Sequence, residues 1–565
     1  MARLEEAAAR NTSALGPLVG LTREDIFGAV AVLLRETASD PQRLMKHSQA
    51  MGGDMIKIMT GKSDLAPDPK DKRFQDPAWQ YNPFMRAGLQ YYLAVQKGMA
   101  GWLEDLELDE LEKDRARFVS TIIIDSLAPT NTLVGNPAAQ KMAITSGGMS
   151  LIKGLKNAYD DMVHNKGMVS QVDKKPFKLG ENVATSKGSV VLRTEMMELI
   201  HYAPTTDEVY KTPQLTIPPQ INKMYINDLS PEKSVVKYQV DNGIQTFVIS
   251  WKNPGKDQGH WDMADYVNSC REAMEAVAAI TKSDKVNVSA GCSGGQTAAV
   301  LASKLAAEAE NGGKDLLGTL TMMVCVLHPK QNDIEAGSLI SDNGLALARR
   351  RADKAGVIKG DDLARGFAWL RPNDLIWNYV INNYLLGQDP PAFDVLFWNA
   401  DATNLSASLM GDFLTIFETL AFTKQGEVEM VDHKIDLSKV TSDLFILGGV
   451  TDHITPWKAT YRSTQLFGSD DVTYVLSHSG HMQAILNPPG NPKARYYVQT
   501  KDGPLPATAD EWLAETEEVA GSWWPFWMEW LQARSGEKKK APKNLGNAKH
   551  EPLDPAPGLY VMDPC

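Results

Sequence analysis

Apolar positions follow two regimes along the chain. Up to about residue 185 they recur at the three- and four-residue spacing of amphipathic helices, so this part reads as mostly helical. The pattern predicts helices over Arg43–Met59, Phe84–Trp102 and Leu108–Leu127. Thr22-Arg-Glu-Asp25 resembles a capping box that opens a further helix running to about Thr37. Segments such as Ala66-Pro-Asp-Pro-Lys-Asp71 and Pro129-Thr-Asn-Thr132 interrupt the period and favour turns. Near Gly180 the texture changes to short β-rich runs alternating with helical ones. Candidate strands are Ser189–Arg193, Met196–Tyr202, Gln214–Ile217, Thr246–Trp251, Val286–Ser289, Leu317–Val326, Leu444–Leu447 and Val472–Leu476. Helical stretches such as Met263–Thr281 and Gly295–Glu310 lie between them. That alternation predicts an α/β fold with a mostly parallel, doubly wound sheet and helices on both faces.

One interval breaks the rhythm. From about His328 to Thr441 the chain is rich in Asn, Asp, Trp and Tyr without a βα period, as in Arg371-Pro-Asn-Asp-Leu-Ile-Trp-Asn378. An insertion of that length in an α/β sheet is usually a cap over the strand ends. Trp512 to Gln532 has a helical pattern and holds six large aromatics, with Pro525 kinking or restarting it. The expected organisation is a helical domain over 1–185, an α/β domain over 186–535 with its cap at about 328–441, and an extended Lys-, Pro- and Gly-rich tail over 536–565.

Composition narrows the class. With 565 residues, 43% of them hydrophobic and 23% charged, the chain has ample apolar material for a large core. A net charge of −12 argues against nucleic-acid binding, and it obliges any anionic substrate to find local basic residues. The four cysteines, Cys270, Cys292, Cys325 and Cys565, form no CxxC pair and no disulfide framework, which fits a reducing compartment. Acids stand where a signal peptide needs an apolar run, and no stretch reaches the roughly 18 apolar residues of a membrane span. A cytoplasmic location is expected, with freedom to sit on a hydrophobic surface.

The chemistry concentrates in Lys285-Val-Asn-Val-Ser-Ala-Gly-Cys-Ser-Gly-Gly-Gln-Thr-Ala-Ala-Val300. An apolar strand enters a turn of small residues and a helix follows, the shape of a nucleophile elbow, G-x-nucleophile-x-G. Cys292 holds the nucleophile position. The helix start beside it would favour a thiolate, and the backbone N–H of Ser293 would bind an oxyanion. Ala290 stands where the elbow usually has Gly. A random cysteine is more often a buried core thiol; the strand–elbow–helix context reverses that preference. A phosphate loop is disfavoured because its lysine and spacing are missing.

An elbow fold supplies its acid and histidine later in the chain, in that order. Leu444-Phe-Ile-Leu-Gly-Gly-Val-Thr-Asp452 is a strand ending at an acid, and Val472-Thr-Tyr-Val-Leu-Ser-His-Ser-Gly-His481 is a strand ending at a histidine. His481 would act as general base, and Asp452 would fix its tautomer and stabilise the imidazolium. Spacing alone does not choose between His478 and His481. His453 beside Asp452 lacks the further ligands a metal site needs, so no metal and no cofactor is expected. Gln214-Leu-Thr-Ile-Pro-Pro-Gln-Ile-Asn222 has the position of the loop that completes an oxyanion hole.

With these residues in hand, the chain resembles the polyhydroxyalkanoate synthases over nearly its whole length. The matching segments include Arg73-Phe-Gln-Asp-Pro-Ala-Trp79, Ile217-Pro-Pro-Gln-Ile-Asn-Lys223, Asp228-Leu-Ser-Pro-Glu-Lys233, Thr451-Asp-His-Ile-Thr-Pro-Trp457 and Ser479-Gly-His-Met-Gln-Ala-Ile-Leu-Asn-Pro-Pro-Gly490. The resemblance implies an α/β-hydrolase-like catalytic domain with a mobile cap, preceded by a helical domain, in a homodimer. It implies an acyltransferase that polymerises (R)-3-hydroxyacyl units from coenzyme A thioesters, with CoA as leaving group. The partners it implies are the growing polyester, the granule surface and granule-associated proteins. By motif the family's nucleophile, acid and base fall on Cys292, Asp452 and His481. Ala290-Gly291 replaces a more usual Gly-Ala, and His328 stands where the family has Asp after Leu327. The N-terminal half is nearer to medium-chain synthases and the tail to short-chain ones, so no acyl length is implied.

A cysteine suits this chemistry because exchange between two thioesters is nearly isoenergetic, and the acyl group stays active for attack by a hydroxyl. Water must be excluded, which gives the cap a role. Two rivals share the fold: a thioesterase or polyester depolymerase, and a granule-surface protein without activity. A serine nucleophile would have favoured the first, and an incomplete Cys292–Asp452–His481 set the second. The tryptophans of the C-terminal helix could meet the polymer, but core packing is the commoner use of such spacing.

Overall fold

The computed structural model describes residues 35–108, 110–329, 342–499 and 503–564, together with Ala31 and Leu33. The N-terminal region is helical, with α1 (Pro41–Met59), α2 (Pro83–Glu104), α3 (Glu110–Ser126), α4 (Pro137–Thr145) and α5 (Met149–His164). Asp40 and Asn82 open α1 and α2 by accepting first-turn N–H groups, and each is followed by a proline that has no N–H to satisfy. The start of the helix expected at Thr22 lies outside the described residues. Phe74, Trp79, Leu89, Tyr92 and Ile124 pack together as a small separate core.

Ten strands among the described residues form one sheet. They are β1 (Gly188–Arg193), β2 (Met197–Tyr202), β3 (Gln214–Ile217), β4 (Thr246–Trp251), β5 (Val286–Gly291), β6 (Leu317–Met323), β7 (Leu444–Gly449), β8 (Val472–Ser477), β9 (Arg495–Gln499) and β10 (Thr516–Ala520). Their order is β1-β2-β4-β3-β5-β6-β7-β8-β9-β10. From β3 to β8 all pairings are parallel; β2 runs against β1 and β4, β9 against β8, and β10 against β9. Every strand expected from the pattern is present. α6 (Val235–Asp241), α7 (Met263–Thr281) and α8 (Ser293–Glu310) cover the sheet. Alternate residues of β7 enter opposite cores: Leu444 and Ile446 join α7 and α8, while Phe445 and Leu447 join Trp523 and Trp527. This is the two-residue period of a strand buried on both faces.

The C-terminal expectation needs correction. Trp512–Gln532 is not one helix. A short helix, Ala509–Ala514, leads into edge strand β10, Gly521 turns the chain at φ +109°, and a second helix runs over Trp524–Ala533 with Pro525 in its first turn. Pairing of β10 with β9 overrides the helical spacing, because an edge strand satisfies its backbone on a neighbour. Trp512, Trp523, Trp524 and Trp527 are among the most deeply buried side chains, so this cluster packs the core. The tail is extended but docked. Leu553 donates its N–H to Val190, Val190 donates to Asp554, and Ala556 donates to Gly188, adding an irregular edge along β1.

Between β6 and β7 lies the insertion, whose described part holds α9 (Asp342–Ala355), α10 (Gly360–Leu370), π-helical stretches over Asn373–Trp377 and Val380–Leu385, and α11 (Ala407–Thr419). The N-terminal region is fastened to it. A Cβ on Gly154 of α5 would fall 1.9 Å from the Tyr384 carbonyl oxygen. Tyr384 donates its hydroxyl to Asp161 at 2.8 Å, and the Asn157 amide donates to the carbonyls of Asn383 and Gln388 at 3.1 and 2.9 Å. Among the described residues no helix is long and apolar enough to cross a membrane.

Candidate active site

β5 delivers Cys292 at the centre of the sheet, between β3 and β6. The residue sits at φ +50° and ψ −125°, a conformation that L residues rarely adopt. Two backbone bonds hold it there: its N–H donates to the Met323 carbonyl at 3.0 Å, and its carbonyl accepts the Gly295 N–H at 3.0 Å. α8 begins at Ser293, so first-turn N–H groups and the positive end of a helix dipole adjoin the sulfur. The glycines after Cys292 are needed for space. A Cβ on Gly294 would lie 2.7 Å from the Ile217 carbonyl oxygen, and one on Gly295 would lie 2.7 Å from Cys325 Sγ. The Ala290-Gly291 order fits: Ala290 is 2% exposed in the core, and a Cβ on Gly291 would meet nothing nearer than Ile485 Cδ1 at 3.6 Å.

Asp452 follows β7 and His481 follows β8, on the same side of the sheet as the elbow. His481 Nδ1 and Asp452 Oδ2 are 2.7 Å apart. The other carboxylate oxygen accepts the N–H groups of Ile454 and Thr455, both at 2.9 Å. Thr455 Oγ donates to Asp452 Oδ2 at 2.6 Å and lies 3.1 Å from His481 Nδ1. Burial pushes the Asp452 carboxyl up, but the His481 charge and these hydrogen bonds outweigh it and hold it below the usual range. Burial likewise pulls the His481 imidazole down. The charges of Asp452 and Cys292 and hydrogen bonds to both overcome that effect and raise its pKa to about 10. With Nδ1 engaged by Asp452, Nε2 is the nitrogen left for Cys292.

The two competing histidines are separated by their surroundings. His478 is exposed, with its ring 6.4 Å from that of Tyr497. His453 lines the site, and burial followed by the Arg371 charge holds its pKa near 4, so it is neutral. Thr455 was not singled out by sequence reasoning. Its signal was its place three residues after the acid, where a hydroxyl closes a turn onto a carboxylate.

Cys292, His481 and His453 open onto a cavity of about 590 Å³. The cap contributes Phe367 and Trp398 to its wall, the N-terminal region contributes Met168 and Val169, and the loop after β3 contributes Pro218 and Asn222. That loop is tied to the elbow, since Ser293 Oγ donates to Gln220 Oε1 at 3.1 Å and the Gln220 amide donates to Thr297 Oγ at 2.9 Å. Pro218 and Pro219 have no N–H to offer. A second donor from this loop would come from Gln220 or later.

Residues 70–239 match the family described as "Poly-beta-hydroxybutyrate polymerase (PhaC) N-terminus", and residues 228–488 match "alpha/beta hydrolase fold". The chain is 43% identical over 560 residues to Poly(3-hydroxyalkanoate) polymerase 1 of Ectopseudomonas oleovorans, covering 99% of this chain and 98% of the relative. It is 35% identical over 550 residues to the Poly(3-hydroxyalkanoate) polymerase subunit PhaC of Cupriavidus necator, covering 96% and 91%. Among solved structures, a monoacylglycerol lipase of Paleococcus ferrophilus aligns with 13% identity and a TM-score of 0.34, over 60% of this chain and 100% of the lipase.

Proposed function

The chain belongs to the poly(3-hydroxyalkanoate) polymerases, and on that footing we propose that Cys292, His481 and Asp452 form its catalytic triad. The enzyme joins (R)-3-hydroxyacyl units from CoA thioesters into a polyester and releases CoA. The observation that carries the assignment is a cysteine in a strained elbow and a buried histidine bonded to Asp452 at 2.7 Å, with the cysteine and the histidine lining one cavity.

In this reading Cys292 Sγ attacks the thioester carbonyl, its proton held by His481. The Ser293 N–H stabilises the oxyanion that forms. The C–S bond to CoA breaks, CoA leaves with the imidazolium proton, and the acyl group stays on Cys292. The hydroxyl of a second unit or chain end then gives its proton to His481 and attacks the acyl carbon. An ester bond forms, and the sulfur regains the negative charge. Asp452 stabilises the imidazolium throughout. No step is assigned to a metal or cofactor; CoA belongs to the substrate. Lys166, Lys174, Arg365 and Arg371 line the cavity; Asp361, Asp362 and Asp374 pair with three of them, but only Asp361 is in the wall, and the excess of cations there is the local positive charge that an anionic thioester needs against a net −12. Cap residues in the wall support a role in excluding water.

We further propose that the enzyme works as a homodimer at the surface of cytoplasmic polyester granules, where granule-associated proteins would meet it. The granule assignment is supported by α5, which turns small Ser150 and Gly154 inward while Met149, Ile152, Leu155, Tyr159 and Met162 are each more than 60% exposed.

The test is to incubate the purified protein with (R)-3-hydroxyacyl-CoAs of several lengths and follow CoA and polymer together. Wild type is expected to produce both and Cys292→Ala neither. Free hydroxy acid without polymer would make the protein a hydrolase. Unchanged activity in Cys292→Ala would remove the cysteine from the mechanism.

A further inference from the structure

We infer that Lys223 is a positioning residue that sets the loop facing Cys292, by tying it to both the cap and the C-terminal tail. The inference rests on the proposed role of Cys292. The loop after β3 runs Ile217-Pro-Pro-Gln-Ile-Asn-Lys223. Its inner side meets the elbow closely: a Cβ on Gly294 would lie 2.8 Å from the Pro218 carbonyl oxygen. Its outer end is a buried lysine whose side chain is 4% exposed.

Three segments converge on that residue. The Lys223 ammonium lies 2.8 Å from Asp401 Oδ1, in the cap just after its helix Asp394–Asn399. It also donates to the backbone carbonyl of Asp563 in the tail at 2.8 Å. The Lys223 carbonyl accepts the Trp398 indole N–H at 2.7 Å, and Trp398 is a wall of the catalytic cavity. The same seam is sewn on either side. Thr403 Oγ donates to the Gln220 carbonyl at 2.6 Å, and the Asn253 amide donates to the Pro564 carbonyl at 2.7 Å. Tyr225 completes the cluster by donating its hydroxyl to Asp401 Oδ2 at 2.9 Å.

A buried ammonium is costly unless each of its protons finds an acceptor. Here the acceptors belong to parts of the chain far apart in sequence, so the cluster is satisfied only when loop, cap and tail stand together. The loop has two prolines and no helical or strand pairing of its own at 218–220. Its inner side is held by the Gln220 bonds to Ser293 and Thr297 and by the Trp251 indole N–H on the Pro218 carbonyl at 3.0 Å, and the outer anchors set the rest of its position against Cys292. An oxyanion donor displaced by a fraction of an ångström loses much of its effect, whereas the thiol and its base are unaffected.

The experiment compares Lys223→Met, which keeps the stem and removes the charge, with wild type. Three quantities are read: the single-turnover rate of CoA release at saturating thioester, KM, and the rate of Cys292 alkylation by iodoacetamide. The expected result is acylation slower by about ten- to a hundredfold, with KM and alkylation within about twofold. Unchanged acylation in a folded Lys223→Met overturns the inference. So does a parallel fall in acylation, alkylation and thermal midpoint, which would make Lys223 merely structural. If Lys223→Met does not fold, Asp401→Asn and a chain ended after Met562 decide by the same readouts; normal acylation in both overturns it. Cys292→Ala run alongside separates the two levels, because CoA release surviving in that variant sinks the nucleophile assignment, whatever Lys223 does.

Discussion

At the scale of single residues the site is a set of charges held by burial. The His481 pKa is raised to about 10 in the folded protein, above the ordinary 6.5. The stability gained from its charged form is therefore fully present below about pH 6.5 and is lost as pH rises towards 10. Asp452→Asn removes the main compensating charge and leaves burial to dominate. Two results are expected: CoA release falls by about a thousandfold, and the thermal midpoint drops by several degrees below pH 6.5 but converges with wild type near pH 10. A gap in midpoint that stays constant from pH 6 to 10 would show that the pair is not ionised as described. The sequence made Cys292 and Asp452 legible because each ends an apolar strand at a polar turn. It could not separate His478 from His481 by spacing, since both follow β8 within four residues. What distinguishes them is direction: one ring is exposed beside Tyr497, and the other is buried against Asp452.

At the scale of elements, strands were readable wherever both faces are buried, because a run of β-branched and aromatic residues then has no competing explanation. β9 and β10 escaped because they close one end of the sheet with mixed surfaces, β10 as its edge. In β10 Glu517 and Glu518 face solvent, and Glu518 pairs with Arg495 at 3.1 Å. The tail shows the same limit, for its docking uses backbone atoms and scattered polar side chains, among them one buried histidine. His201 on β2 accepts the Gly546 N–H at 3.1 Å and stacks on Phe247 at 4.1 Å. Burial holds its pKa near 4, so the unfolded chain takes up a proton at pH 6.5 that the folded protein refuses. Stability from this site is present above about 6.5 and is lost as pH falls towards 4. Protonation at Nδ1 also removes the acceptor for Gly546. Amide exchange around Gly546, corrected for intrinsic rates, is expected to rise relative to Lys538–Lys540 as pH drops from 7 to 5. His201→Gln, which does not titrate, should abolish that rise; its persistence would place the trigger elsewhere.

At the scale of the whole molecule, the N-terminal region is fastened to the cap. α5 meets the π-helical turns of the cap through Gly154, where a Cβ has no room beside the Tyr384 carbonyl, and through the Tyr384–Asp161 bond. Arg73 donates to Asn373 at 3.0 Å and extends the fastening to the segment between α1 and α2. These contacts were invisible in the sequence because they join a glycine, polar side chains and backbone, which carry no apolar period. The segment after α5 also walls the cavity through Met168 and Val169. A loosened α5 should therefore disturb both the cap and the site, while the sheet beneath keeps its own core. Gly154→Leu tests this by forcing the helix off the cap backbone. Protease cleavage and amide exchange are expected to increase together over 149–170 and 373–391, with strands β3 to β8 as protected as in wild type, and polymer formation should fall. Leu155→Gln lies on the exposed face of the same helix and should leave cap protection unchanged while weakening attachment to polyester. If Gly154→Leu opened the sheet as well, cap and helix would be part of the main cooperative unit; if it opened α5 alone, the fastening would not govern the cap.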